Sequence, residues 1–131
     1  MKTLIVEDDL TSRLLLQEFL KEYGPIQIAV DGEEAVAAVR AASEAGEFFD
    51  LICLDIMLPE MNGIEVLRRL REREEARGIV LGQGSKILMI TALGGIKDVM
   101  VAYSNLCDGY LTKPLAKAQF QEELRRLKLI E

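Results

Sequence analysis

The stretch Asp50-Leu51-Ile52-Cys53-Leu54-Asp55-Ile56-Met57-Leu58-Pro59-Glu60-Met61-Asn62-Gly63 decides the fold. Asp50 to Leu54 is an apolar run that reads as a strand buried on both faces, as in the middle of a parallel sheet. Asp55 stands where that run ends. Pro59 and Asn62-Gly63 then break the chain and restart it as a helix capped by Asn62. A carboxylate at the end of a buried strand is costly unless a cation meets it. In open α/β sheets, ligands sit at that end of the strands. Asp55 alone also fits simple turn capping, so its neighbours in space must discriminate.

Working outward, Lys2 to Val6 is a β-prone run ending in three acids, Glu7-Asp8-Asp9. A helix follows from about Leu10, with Asp9 or Thr11 as its cap and Leu10, Leu14, Leu15 and Phe19 at helical spacing; Gly24-Pro25 stops it. Ile26 to Val30 is a second strand. After the Asp31-Gly32 turn, Glu33 to Ala45 reads as a helix facing the core with Ala35, Val36, Val39 and Ala42. The helix after Asn62 carries Ile64, Leu67 and Leu70 on one side. Its Arg68, Arg69, Arg71 and Arg73 alternate with Glu65, Glu72, Glu74 and Glu75, which reads as a solvated face with Arg68/Glu72 and Arg71/Glu75 four apart. Gly78 to Ser85 is a loop, longer than most such connections.

Lys86 to Ile90 is a fourth buried strand, ending in Thr91-Ala92. A turn at Gly94-Gly95 leads to a helix over Ile96 to Ser104. Its Ile96, Val99, Met100 and Tyr103 read first as core packing and second as a docking flank. Gly109 to Thr112 is a fifth strand, ending at Lys113-Pro114. Leu115 to Leu129 forms the last helix, with Phe120, Leu124 and Leu127 spaced for the core.

Five strands, each followed by a helix, call for a doubly wound parallel α/β sheet with helices on both faces and right-handed crossovers. The expected organisation is a single three-layer αβα domain over residues 1–131. All five strand ends then fall on one edge, which collects Glu7, Asp8, Asp9, Asp55, Thr91 and Lys113. Turn capping does not call for such a constellation.

Composition removes whole classes of function. The net charge of −6 argues against a nucleic-acid or anionic-membrane surface. The sequence shows no signal peptide and no apolar run long enough to cross a bilayer, so a cytoplasmic location is expected, with Cys53 and Cys107 as reduced core thiols. There is no histidine. That excludes a phosphohistidine carrier, a Ser-His-Asp or Cys-His hydrolase and the usual zinc sites. Clustered carboxylates without nitrogen or sulfur ligands favour a hard ion, Mg²⁺ or Mn²⁺, and through it a phosphoryl group. One carboxylate would then be the nucleophile and form an acyl phosphate. Lys113 would neutralise the phosphoryl oxygens, and Thr91 would donate a hydrogen bond to one of them.

The residues Val6-Glu7-Asp8-Asp9, Asp55 through Gly63, Thr91-Ala92 and Gly109-Tyr110-Leu111-Thr112-Lys113-Pro114 together resemble the receiver domain of two-component response regulators, of the stand-alone CheY-like kind. The resemblance implies strand order 2-1-3-4-5. It implies that Asp55 is the phosphorylated aspartate. The metal would be held by Asp8, by Glu7 through water, by Asp55 and by the Met57 carbonyl. Thr91 and Lys113 match the phosphate-sensing hydroxyl and the ion-pairing lysine, Tyr110 the switching aromatic, and Lys113-Pro114 a cis peptide. The implied donor is a histidine kinase or histidine phosphotransfer protein. The implied output is a protein target at the surface of the fourth helix, fifth strand and fifth helix, from a monomer or a phosphorylation-driven homodimer. The implied protein is a phosphoacceptor switch with weak self-catalysis, not an enzyme acting on metabolites. With no DNA-binding segment after Glu131, direct transcriptional action is not expected unless the chain is a piece of something longer.

Met57 and Leu93 depart from the commonest pattern, since neither side chain can hold an attacking water by a strong hydrogen bond. Slow-to-moderate hydrolysis of the phosphorylated form is therefore expected. Three rivals remain on the sequence. A phosphatase of the haloacid dehalogenase type needs a second acid where Met57 stands. A flavodoxin-shaped flavin module needs a hydroxyl- and glycine-rich loop where Glu7-Asp8-Asp9 stands. A phosphorylation-independent interaction module has no need of the acids, Thr91 and Lys113.

Overall fold

A computed structural model describes residues 1–131. Its elements run β1 (Thr3–Val6), α1 (Leu10–Leu20), β2 (Ile26–Ala29), α2 (Gly32–Glu44), β3 (Leu51–Leu54), α3 (Gly63–Ala76), β4 (Lys86–Thr91), α4 (Ile96–Ser104), β5 (Gly109–Thr112) and α5 (Lys117–Arg126). The strands form one parallel sheet in the order β2-β1-β3-β4-β5. The doubly wound arrangement and the strand order are as expected.

Alternation along the strands builds two cores. Leu4, Val6, Ile52, Leu54, Ile87 and Met89 face one side, where α2, α3 and α4 pack through Ala35, Ala38, Ala42, Val66, Leu67, Leu70 and Ala102. Ile5, Leu51, Cys53, Leu88, Ile90 and Leu111 face the other, against Leu16, Phe19 and Leu20 of α1 and Phe120 and Leu124 of α5. Strands covered on both faces read as continuous apolar runs because no position is left for a polar residue. The edge strand β2 keeps an exposed Gln27. Gly32 lets α2 and α3 approach closely: a Cβ there would lie 2.7 Å from Val66 Cγ2. Both cysteines are buried and unpaired, and burial pushes the Cys107 thiol up to about 11. No helix is long and apolar enough to cross a membrane.

Several local expectations need correction. In α1, Phe19 faces the core but Leu10, Leu14 and Leu15 are exposed; the buried set is Leu16, Phe19 and Leu20. Both sets fit a helical period, and the sheet accepts only one. In α4 only Ala102 is buried, while Ile96, Met100 and Tyr103 lie open, so the core-packing reading fails and the flank is free. Arg71 is not on a solvated face and does not pair with Glu75. It bonds Glu74 at 2.7 Å and Asp108 at 2.6 Å, with its side chain only 10% exposed. Arg68 pairs with Glu72 as expected and also with Glu65. The last helix is shorter than Leu115 to Leu129 at both ends.

Candidate functional site

The sheet's hydrogen-bond ladder continues one residue past the strands and fixes the backbone of each strand-end residue. Glu7 N–H donates to the Ala29 carbonyl (3.0 Å), Asp55 N–H to Val6 (3.1 Å) and Lys113 N–H to Thr91 (2.8 Å). Side chains from β1, β3 and β5 ends then meet. Lys113 Nζ donates to Asp55 Oδ2 at 2.9 Å and also to Glu7 Oε1. Glu7 and Asp55 are 2% and 5% exposed. Asp55 Oδ1 accepts the Met57 N–H at 3.0 Å, and Glu7 Oε2 accepts the Asp9 N–H at 3.2 Å. The α3 N-terminus is seated directly on this loop, because Gly63 has no Cβ; one there would lie 2.0 Å from the Asp55 carbonyl oxygen.

Thr91, fully buried at the end of β4, has its Oγ1 3.4 Å from the Leu93 N–H. The half-buried Tyr110 donates its hydroxyl to the Leu93 carbonyl. Thr91 and Tyr110 therefore grip the same short segment from two sides. The Lys113–Pro114 peptide is cis, as expected.

Two buried carboxylates share one ammonium. Burial raises the Glu7 carboxyl above the usual glutamate range; the Lys113 hydrogen bond opposes this, and the charge of Asp55 adds to it. Burial pulls the Lys113 ammonium down, but its bonds to Glu7 and Asp55 outweigh that and leave it raised. The lysine stays charged, and the pair retains an excess of negative charge.

The acid triplet after β1 divides three ways. Glu7 turns into the site. Asp8 is exposed, and its carboxylate does not join Glu7 and Asp55 on Lys113. Asp9 is taken up as the α1 cap, its Oδ2 accepting the Ser12 N–H at 2.9 Å, so it is not a site acid. The Met57 side chain is 56% exposed. Sequence reasoning missed Arg13, whose Nη1 bonds the backbone carbonyls of Glu7 (3.2 Å) and Asp8 (2.8 Å) and locks the loop. A cation one turn into the helix that follows an acidic loop is the available signal.

No three acidic or thiol side chains converge into a ready-made cation cage. The oxygens that meet there are those of Glu7 and Asp55, with Asp8 and the Met57 carbonyl next to them in sequence, and burial beside Asp55 works against the negative charge of Glu7. That donor set fits a hard divalent ion that keeps part of its water shell. In this structure Lys113 takes part of the same charge.

Residues 3–125 match the response regulator receiver domain family. The transcriptional regulatory protein CiaR of Streptococcus pneumoniae is 36% identical over 124 residues, which is 95% of this chain and 48% of that protein. TcrA of Mycobacterium tuberculosis is 35% identical over 127 residues, 96% of this chain and 45% of its own length. The chain thus spans about half the length of the curated relatives it matches. Among solved structures, the Vibrio cholerae chemotaxis protein CheY4 superposes with a TM-score of 0.79 at 26% identity, covering 96% of this chain and 97% of that one. The structure of the CheX-CheY-BeF3-Mg²⁺ complex from Borrelia burgdorferi gives 0.84 at 25% identity, covering 100% and 90%. The strand order, the buried acids at the strand ends and the matched span agree: this chain belongs to the receiver domain family of two-component response regulators.

Proposed function

We propose that residues 1–131 act as one receiver domain in a phosphorelay, with Asp55 as phosphoacceptor. The observation that carries this reading is the Lys113 ammonium 2.9 Å from Asp55 Oδ2 at the carboxyl end of the sheet. The donor is a phosphohistidine on a histidine kinase or phosphotransfer protein. A carboxylate oxygen of Asp55 attacks phosphorus in line, the P–N bond breaks, and the imidazole nitrogen keeps the electron pair. Lys113 holds Asp55 in place beforehand and remains against the phosphoryl oxygens afterwards. Glu7, Asp8, Asp55 and the Met57 carbonyl would hold Mg²⁺ (or Mn²⁺). Bound there, the ion neutralises the oxygens of the transferred group.

The acyl phosphate carries about −1.5 to −2 charges at neutral pH where the carboxylate carried one, and it places them on oxygens farther out from Asp55. Thr91 Oγ, held only weakly by Leu93 N–H, is the nearby donor free to turn toward that charge. Tyr110 follows, since it is bonded to the same segment. The change reaches the face of α4, β5 and α5, where Ile96, Met100 and Tyr103 already lie exposed and would bind a protein target or a second phosphorylated copy. The net charge of −6 supports a protein partner over nucleic acid or an anionic membrane, in a cytoplasmic setting. The molecule is a switch with weak self-catalysed phosphotransfer and dephosphorylation. Neither the exposed thioether of Met57 nor the apolar side chain of Leu93 gives an attacking water a strong partner, so hydrolysis of the phosphorylated form should be slow to moderate; a half-life of seconds in the purified protein would refute that.

Incubation with acetyl phosphate tests the proposal. Intact-mass analysis should show one added phosphoryl group with Mg²⁺, none with EDTA and none on Asp55→Asn. Equal labelling of Asp55→Asn, or labelling that ignores Mg²⁺, would overturn it.

A further inference from the structure

The opposite end of the sheet holds a cavity of about 350 Å³ that phosphoryl transfer does not use. It opens between α2, α3 and the long connection from Gly78 to Ser85. Phe48, Phe49, Ile52 and Leu70 supply apolar wall, and Arg73 and Arg77 supply charge. A concave, mostly apolar space of this size with a few polar groups is typical of small-molecule sites.

The charges are not balanced. Of the acids lining the cavity, Glu74 is bonded to Arg71 (2.7 Å) and to the Ser85 N–H (2.9 Å), and Glu47 lies 3.5 Å from Lys2. Arg73 and Arg77 enter no salt bridge. Arg73 Nε is the one buried side-chain polar atom in the chain without a hydrogen-bond partner. Arg73 and Arg77 are one helical turn apart, so they stand over the same side of the cavity. The far wall is built rather than loose: Gly84 packs so closely on Glu74 that a Cβ would lie 2.1 Å from its Oε2. The loop's length, unexplained by the sheet, is what encloses the space.

We propose that this cavity binds a small amphipathic carboxylate, an apolar chain or ring bearing one acid group. The apolar body lies against Phe48, Phe49, Ile52 and Leu70. The carboxylate takes the Arg73 guanidinium through its terminal nitrogens, in the two-bond geometry that guanidinium offers and an ammonium does not. Arg77 adds attraction at the mouth.

The test titrates the ¹⁵N-labelled chain by NMR with octanoate, with octan-1-ol and with acetate. Octanoate should shift the amides of Phe48, Phe49 and Gly84 and the Arg73 Nε resonance in a saturable way. It should bind about tenfold more tightly than the alcohol, and acetate should give no saturable shift. Arg73→Gln should bring octanoate down to the affinity of the alcohol while Asp55 is still phosphorylated by acetyl phosphate. Equal affinity for octanoate and octan-1-ol on the parent chain would overturn the proposal without reliance on any variant. So would saturation by acetate alone, or shifts confined to the exposed face of α4.

Discussion

Two largely buried cations are each shared between two carboxylates, at opposite ends of the same sheet. Lys113 lies between Glu7 and Asp55 at the carboxyl end. Arg71 lies between Glu74 and Asp108 on the side where β4 begins. The charge ratio is the same and the outcome is different. Arg71 also bonds the carbonyls of Leu106 (2.9 Å) and Ser85 (2.8 Å), and its acids accept the N–H groups of Ser85 (2.9 Å) and Ile87 (2.8 Å). All three guanidinium nitrogens are used, through four bonds, so the cluster clasps α3 to β4 and to the turn before β5. Lys113 is a point charge on a flexible stem, with no backbone partner for its Nζ. Its acids accept as many bonds as those of Arg71, one backbone N–H each besides the cation, but they are buried more deeply, and Glu7 is left with a raised carboxyl pKa. A cation tied to backbone carbonyls as well as to acids makes a structural clasp; one tied only to buried carboxylates leaves a site that responds when another charged group arrives.

The largest stability effect should follow removal of the clasp. Arg71→Met leaves Glu74 and Asp108 facing each other without their cation and frees two backbone carbonyls. Urea unfolding should show a loss of about 3–5 kcal/mol. A loss under about 1 kcal/mol would mean that the clasp is not what fixes α3. Lys113→Met should cost less, about 2 kcal/mol, because that site is partly open and Glu7 can take up a proton. A greater loss than for Arg71→Met would reverse the comparison.

A pH series sharpens the same contrast. Glu7 is raised above the ordinary glutamate value of 4.5, so its ionisation works against folding. Below that pH it is protonated in both folded and unfolded chains and adds no penalty; as pH rises above it, the folded chain loses ground. Measured in EDTA, the stability of Glu7→Gln relative to the parent should therefore improve between pH 4.5 and neutrality. A flat difference would show that Lys113 already compensates Glu7 fully. Lys113 titrates in the opposite sense: its raised value supports folding below pH 10.5, and that support is lost as pH climbs past it. The smallest effect belongs to Tyr110→Phe, which loses one partly exposed bond to the Leu93 carbonyl and should cost about 1 kcal/mol or less by thermal melting.

Most of the fold is legible in the residues themselves. Apolar runs such as Leu51 to Leu54 identify buried strands, and the repeat of strand then helix fixes a parallel sheet. The site is legible for the same reason: Glu7, Asp55, Thr91 and Lys113 each end a strand, and a parallel sheet puts those ends together. What escapes depends on partners distant in sequence or on which helix face is covered. Arg71 finds Asp108 across 37 positions, which local i,i+4 logic cannot foresee and which misassigned it to Glu75. In α1, the leucines at 10, 14 and 15 compete with Leu16 and Leu20 for the same sheet, and periodicity alone cannot choose. In α4 an apolar stripe marks a face to be covered without saying by what. The triplet Glu7-Asp8-Asp9 reads as one cluster, but the turn into α1 sends each carboxylate its own way.

The buried carboxylate beside Lys113 is the proposed seat of the phosphoryl group. Borohydride reduction of the chain after treatment with Mg²⁺ and acetyl phosphate, followed by tandem mass spectrometry of its peptides, identifies the residue that carried it. An acyl phosphate is reduced to an alcohol, so position 55 should be read as homoserine. Homoserine at position 8 or 9, or at no position in a chain that has gained a phosphoryl group, would contradict the account.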